Sequence, residues 1–451
     1  MVAHDRHRGL TLEAVQRATN TAAAHRRADS AVHGSGWAVT RVQREAVRLE
    51  PPHSYCATYR VQVGRQTKGG PEERRLTLVA RASFDPATWT AYRAGLVEAY
   101  GDAPCRPLDG LGNPVLDDAA QTAWWFYPVD PHLRTLAAAS DPAAVRRLLA
   151  PRYSPKTPPA RIRVEPVRYL PEISAALRYR IVDRPGAGER VVYGKVYRGD
   201  RGRDLHETTQ QLWALSAQHP DLLRVVEPLA YDGELALHLE HEAPGQEVGS
   251  DRTDPRFLGA AVAAAEALAV MHSSGLPSES QLPLQPEIDR LEEVTHQLAL
   301  VHPDAGRLLR DLLVQLKLRL PKTPPEHEVF THGDMKYDQF LEVGGRYTLV
   351  DFEEVGRSET SWDLGKWCAH AVPSMPESWE DSDGAEQARR AFLSRYLQLR
   401  PDATVGRFPI YEAVHLANRA MVLMWGQTEG WQGAAESLLA LAMERLRTPS
   451  P

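Results

Sequence analysis

Apolar runs broken by polar turns set out the chain as strands first and helices later. Trp37–Leu49, Tyr55–Val63 and Arg75–Ala82 read as strands, the last two joined into a hairpin by a polar loop rich in Lys and Gly. A helix over about Thr11–Arg27 precedes them, with a Gly-Ser-Gly turn at 34–36, and another is expected over Pro86–Tyr100. The aromatic run Trp124-Trp125-Phe126-Tyr127 reads as a buried strand. After a helix near Asp141–Ala150 and a proline-rich linker at 151–161, strand patterns return at Arg161–Tyr169, Ala176–Asp183, Arg190–Tyr197, Val225–Leu229 and Glu234–Glu240. From Thr253-Asp254-Pro255, a helix start, the pattern is mainly helical. Helices are expected to about His272, over Pro286–Leu318 with a break at His302-Pro303, from Ser361, and over Gly384–Leu399, Pro409–Gln427 and Trp431–Arg447.

Part of the strand pattern repeats. Displaced by 120 residues, Val47, Arg48, Pro51, Ser54, Tyr59 and Arg60 fall on Val167, Arg168, Pro171, Ser174, Tyr179 and Arg180. Six identities in fifteen ungapped positions compare with about one expected from ordinary residue frequencies. The first copy is therefore read as a degenerate version of the second. The third strand separates them: the second copy carries Lys195 in VVYGKVY, and the first has Arg81 in LTLVARAS once a gap is allowed. A cation in such a strand calls for an anion.

Composition narrows the function classes. The 451 residues carry a net charge of −6, so no overall basic field draws nucleic acid or an anionic membrane. The three cysteines are too far apart for a disulfide framework or a metal motif, which fits a reducing compartment. No apolar run reaches membrane-spanning length and the first residues lack a signal-peptide core, so a cytoplasmic location is expected.

The chemistry concentrates in THGDMKYDQFLEVGGRYTLVDFEEVG, residues 331–356. Asp334 follows an apolar run and a His-Gly pair; Asp351 ends a second apolar run and opens Asp-Phe-Glu; Gly344-Gly345 is a turn between them. Phosphoryl transfer needs one carboxylate at the attacking hydroxyl and another on Mg²⁺. The pattern His332-Gly333-Asp334-x-x-x-x-Gln339 … Asp351-Phe352-Glu353 resembles the aminoglycoside phosphotransferase family, nearest its maltokinase-like branch, which has an N-terminal cap domain. Gln339 stands where that family more usually has Asn. The absence of GxxxxGK[ST] disfavours a P-loop NTPase.

The resemblance covers about 161–447 and implies an α+β, bilobal protein-kinase-like fold. It divides the chain into a cap (1–155), a β-rich N-lobe (161–240) and a helical C-lobe (241–451). It implies an ATP- and Mg²⁺-dependent kinase acting on a small-molecule hydroxyl: a sugar, an amino sugar or an aminoglycoside. The alternatives are a peptide or other natural-product hydroxyl, or a nucleotide-binding pseudokinase scaffold. Carried over residue by residue, Asp334 orients or deprotonates the acceptor. Gln339, Asp351 and Glu353 hold the metal. Lys195 steadies the phosphates and Glu207 steadies Lys195. Ser174, in the turn covering the phosphates, and Glu240 and Glu242, at a hinge, are the remaining nucleotide contacts. Asp363 braces the loop around Asp334. Glu380, Asp381, Asp383, Glu412, Trp425 and Trp431 are candidates for the acceptor pocket, with solvated acids and core tryptophans as the alternative.

Overall fold

The computed structural model describes residues 20–50, 54–100, 114–153, 161–182, 186, 188–373, 382–426 and 429–449. The Cα framework divides into two compact units: Met1–Asp204 with Leu229–Glu240, and Leu205–Pro228 with His241–Pro451.

The first unit holds two five-stranded sheets. One has β1 (Ala38–Glu50), β2 (Ser54–Thr67), β3 (Gly70–Ser83), β4 (Val115–Asp117) and β5 (Thr122–Phe126) in the order β1-β2-β3-β5-β4. The other has β6 (Arg161–Leu170), β7 (Ser174–Val182), β8 (Glu189–Tyr197), β9 (Pro228–Asp232) and β10 (Leu237–His241) in the order β6-β7-β8-β10-β9. The two sheets thus share one topology. Along β2, Tyr55, Ala57, Tyr59, Val61 and Val63 turn to one face, under Ala24, Ala28 and Val32 of helix α1 (Thr21–Val32). Cys56 points the other way, into a second cluster with Val79, Trp125 and Trp89 of helix α2 (Pro86–Tyr100). That is the two-residue period of a strand covered on both faces, and each large apolar side chain so buried contributes roughly 1.5–3 kcal/mol.

In the second sheet Ala175, Leu177, Tyr179 and Ile181 form the inward row with Val192, Val196, Leu237 and Leu239. They pack on Leu133 and on Leu136, Ala139 and Val145 of helices α3 (Leu136–Ala139) and α4 (Pro142–Tyr153). Residues 133–145, assigned from sequence to the cap, thus cover the second sheet. Of the helix expected at Thr11–Arg27, positions before 20 lie outside the described residues; α1 itself starts at Thr21 and is N-capped by Asn20, whose side-chain oxygen accepts from Ala22 N at 2.9 Å.

The second unit is mainly helical. Helix α5 (Arg201–Gln218) contributes its later residues to it. Then come α6 (Pro255–Ser273), α7 (Leu284–Val301), α8 (Pro303–Arg319), α9 (Ser361–Ala371), α10 (Ser382–Leu399), α11 (Phe408–Gly426) and α12 (Trp431–Arg447). The break at His302-Pro303 falls where expected, because a proline opens a helix more easily than it continues one. The Ala-rich α6 is buried on several sides at once. Val225, expected in a strand, makes a single bridge to Leu349 instead, and Leu349 N donates to Arg224 O at 2.8 Å.

Four short strands carry the motif-bearing segment. β12 (Glu328–Thr331) pairs with β15 (Gly356–Glu359). β13 (Phe340–Val343) and β14 (Arg346–Leu349) form a hairpin over Gly344-Gly345, both at positive φ, and β13 also pairs with β11 (Gln246–Glu247).

Candidate active site

The loop after β12 is fixed by Asp363 in the first turn of α9. Its two oxygens accept from His332 N at 2.8 Å and Gly333 N at 2.9 Å. His272 Nε2 lies 3.1 Å from the same carboxylate, and His272 Nδ1 meets Tyr396 OH at 2.8 Å. Asp363 is wholly buried, so these partners carry all of its charge compensation. It is the expected brace. Gly333 must be glycine twice over: its φ is +83°, and a Cβ there would overlap the Glu354 carbonyl. Trp362 Nε1 completes the turn by donating to Gly333 O at 2.8 Å. His332 is buried against the Phe352 ring and its pKa is lowered by that burial, so it packs the loop as a neutral side chain.

Asp334 projects from this loop between two ammonium groups. Lys336 Nζ stands 2.7 Å from Oδ2 and Lys366 Nζ stands 3.0 Å from Oδ1. Burial works to raise the Asp334 pKa, but Lys366 and Lys336 outweigh it and bring it down to about 2. The carboxylate is therefore ionised at neutral pH. Sequence reading missed both lysines: Lys336 is two residues beyond Asp334 and Lys366 one helical turn after Asp363, but neither sits in an unusual composition.

Gln339 is stitched to the same loop. Its Oε1 accepts from Lys336 N at 2.8 Å and its Nε2 reaches Asp334 Oδ2 at 3.4 Å. Its backbone oxygen accepts from Val350 N at 3.0 Å, which brings the Asp351 segment alongside. Asp351 itself has φ +72°, a left-handed conformation that a non-glycine residue holds only under local constraint. Among the described residues, no three His, Cys, Asp or Glu side chains are grouped to hold a metal by themselves. The carboxamide oxygen of Gln339 and the carboxylates of Asp351 and Glu353 are nonetheless hard oxygen donors. Such a sparse set suits Mg²⁺, which takes one or two protein carboxylates and completes its shell with phosphates and water.

Asp334 opens onto a cavity of about 860 Å³ whose described lining belongs to the second unit. Lys336, Lys366, Arg290 and Arg419 line it with Asp334, Glu287 and Glu354. Arg290 Nη2 is 2.6 Å from Glu287 and Asn418 donates to the same carboxylate at 2.8 Å. His370, half-buried, and His415, buried, are also in the lining and are held neutral, the first by desolvation and Arg419, the second by desolvation and Lys366. The candidates Glu412 and Trp431 are elsewhere: both are in the helical core, with Glu412 held by Arg389 at 2.7 Å. Trp425 packs against that core, Asp383 lines a separate small cavity, and Glu380 and Asp381 lie outside the described residues.

In the first unit Lys195 sits in β8, an interior strand, opposite Ala176. Its Nζ is 3.4 Å from Oε1 of Glu240 on the neighbouring strand β10. Burial pushes the Glu240 pKa up, but Lys195 and His238 bring it down to about 2. The carboxylate beside Lys195 in this unit is thus Glu240, read from sequence as a hinge contact. Glu207, the partner expected, is an exposed residue of α5 in the second unit. Glu242 is exposed, and Ser174 is buried at the start of β7, opposite Tyr197.

No family model matches this sequence, and no curated protein matches it. Solved structures with related architecture include a choline/ethanolamine kinase family protein from Mesorhizobium loti, with TM-score 0.43, 19% identity, 68% of this chain and 95% of that one. Aminoglycoside phosphotransferase APH(4)-Ia matches with TM-score 0.46 and 15% identity over 67% of this chain and 98% of its own. Choline kinase LicA from Streptococcus pneumoniae matches with TM-score 0.44 and 15% identity over 67% and 98%. At such values the residues described above, not these neighbours, carry the chemistry.

Proposed function

We propose that this chain transfers the γ-phosphoryl group of ATP to a hydroxyl of a small molecule, as a member of the aminoglycoside phosphotransferase family near its maltokinase-like branch. The observation that carries this reading is Asp334: an ionised carboxylate on a braced loop, facing a cavity of about 860 Å³, with Gln339 and the Asp351 segment tied to it.

The acceptor oxygen attacks the γ-phosphorus, the bond to the β-γ bridging oxygen breaks, and ADP leaves with that electron pair. A carboxylate held at about 2 is a poor proton acceptor before transfer. Asp334 therefore orients the hydroxyl and takes its proton only as the new O–P bond forms. Lys336 and Lys366 keep Asp334 ionised and offer positive charge beside the transferred group. Lys195 steadies the phosphates, and Glu240 holds the Lys195 ammonium in place, with Glu207 as a further acid for it. Ser174 and Glu242 are assigned to the phosphate turn and the hinge. Gln339 and Asp351, with Glu353, would hold Mg²⁺, which would supply charge neutralisation to the phosphates.

For the acceptor we favour an uncharged sugar over a polycationic aminoglycoside. Lys336 and Lys366 already compensate Asp334, Arg290 compensates Glu287, and the two lining histidines are neutral. A polycation needs an excess of acid that this lining does not offer. The deciding experiment is an ATP-consumption screen over sugars, amino sugars and antibiotics with Asp334→Ala as the control. Turnover on one of them, lost in the variant, supports the reading. Nucleotide binding without turnover on any acceptor would favour a pseudokinase scaffold.

A further inference from the structure

The two sheets of the first unit correspond residue by residue through their cross-strand registers. In the second sheet Ala176 of β7 faces Lys195 of β8; in the first, Cys56 of β2 faces Arg81 of β3. Cys56 and Ala176 are related by the 120-residue displacement of the repeat. Ser54 opposite Ser83 and Ser174 opposite Tyr197 give the same correspondence. Arg81 therefore occupies the Lys195 position of the first sheet, and the intervening gap is taken up at the hairpin tip.

Lys195 finds its anion within its own sheet. Arg81 finds one from the other sheet: its Nε lies 2.8 Å from Oε2 of Glu172, in the turn between β6 and β7. These side chains are only 13% and 9% exposed, so the pair is effectively withdrawn from water. Tyr92 OH donates to Glu172 Oε1 at 2.5 Å, and the Arg81 guanidinium lies 4.0 Å over the Tyr92 ring. His132 Nε2 is 3.5 Å from the same oxygen. The turn backbone is gripped as well. Glu172 N donates to Asp130 Oδ2 at 2.9 Å, Tyr169 OH shares that oxygen at 2.7 Å, and Arg48 donates to Pro171 O at 3.0 Å. Glu172 has φ +66°, a conformation that persists in a non-glycine residue only where its surroundings over-determine it.

We propose that the first sheet is a degenerate copy of the second whose anion position, at Arg81, is filled by Glu172, and that this carboxylate clamps the Leu170–Ser174 turn. Glu172 is then a positioning residue for the turn; that the clamped turn covers the ATP phosphates rests on the phosphotransferase reading above.

The test uses the full chain carrying Glu172→Gln, Arg81→Met or Arg81→Lys. Amide hydrogen exchange is followed at residues 170–174, with KM for MgATP and kcat measured alongside. Glu172→Gln and Arg81→Met are expected to speed exchange in the turn about tenfold or more relative to β2 and β7, and to raise KM for MgATP several-fold with a smaller change in kcat. Arg81→Lys should recover part of both. Unchanged exchange at 170–174 in folded Glu172→Gln overturns the clamp. Lower thermal stability with a wild-type KM overturns the link to nucleotide. Should both of these variants fail to fold, Tyr92→Phe, which deletes one hydroxyl, decides the clamp through the same exchange measurement. A wild-type chain that binds no nucleotide sinks the phosphotransferase reading instead, and the exchange result still decides the clamp.

Discussion

The first unit contains the same sheet twice, and the copies differ most where a cation meets its anion. In the second sheet Lys195 and Glu240 face each other across adjacent strands of one sheet. In the first, Arg81 is ion-paired with Glu172 from outside its own sheet. A shared strand order therefore does not define a site. What matters is whether the cation at that register position is compensated locally by a partner that leaves it able to face a ligand, or is consumed by a structural carboxylate. Arg81 takes the second course: its Nε carries a short ion pair while the guanidinium face lies over the Tyr92 ring, whereas an ammonium acts as a point charge.

The largest effect expected is at the acceptor carboxylate and lies outside this pair. Asp334→Ala should lower kcat by about 10³-fold or more with nucleotide affinity near wild type, measured as ATP consumption and as thermal stabilisation by MgATP. The same readings set the scale for the two cations. Lys195→Met is expected to lower kcat/KM for ATP by about 10²-fold, whereas Arg81→Met should act on KM only several-fold while costing roughly 3 kcal/mol or more of stability through the stranded Glu172. Equal kinetic losses from both substitutions would break the distinction between the sheets. In the second unit Asp363→Ala removes the acceptor for two buried backbone N–H groups and for His272, so urea unfolding should report a loss of about 3 kcal/mol.

The smallest effect is in acid. Glu240 and Asp334 are both held at about 2, below ordinary values near 4.5 and 3.8. Each pair therefore stabilises the fold fully above pH ~4.5 and loses its contribution as pH falls toward ~2, by at most roughly 3 kcal/mol for Glu240 and roughly 2 kcal/mol for Asp334. Stability measured at pH 5 and pH 3 should show this decline, and Lys195→Met should flatten the part due to Glu240.

The sequence made the strands and helices legible because two-residue and helical periodicities survive on single segments. The 120-residue repeat was visible through β1 and β2 and lost in β3. Its strand partner had shifted at the hairpin tip, where extra residues lengthen both arms equally and leave the register at Cys56–Arg81 intact. Asp334, Gln339 and Asp351 were legible as a spaced motif; Gln339 hydrogen-bonds to Asp334, and its backbone oxygen accepts from Val350, the residue before Asp351. Lys366, Glu240 and Glu172 were not legible in their observed roles, because each acts through a partner 32 to 91 residues distant in sequence. Ordinary charged residues acquire such meaning only from tertiary approach.

The shared carboxylate of Asp363 also bears on what activity requires of the chain. It joins donors from residues 272, 332 and 333 to a helix beginning at 361, and none of these segments can satisfy it alone. The loop that carries Asp334 therefore holds its shape only when α6, β12 and α9 are together. A partly assembled or truncated chain would keep much of its helix and remain unable to align an acceptor, so full activity becomes a sensitive report of correct assembly.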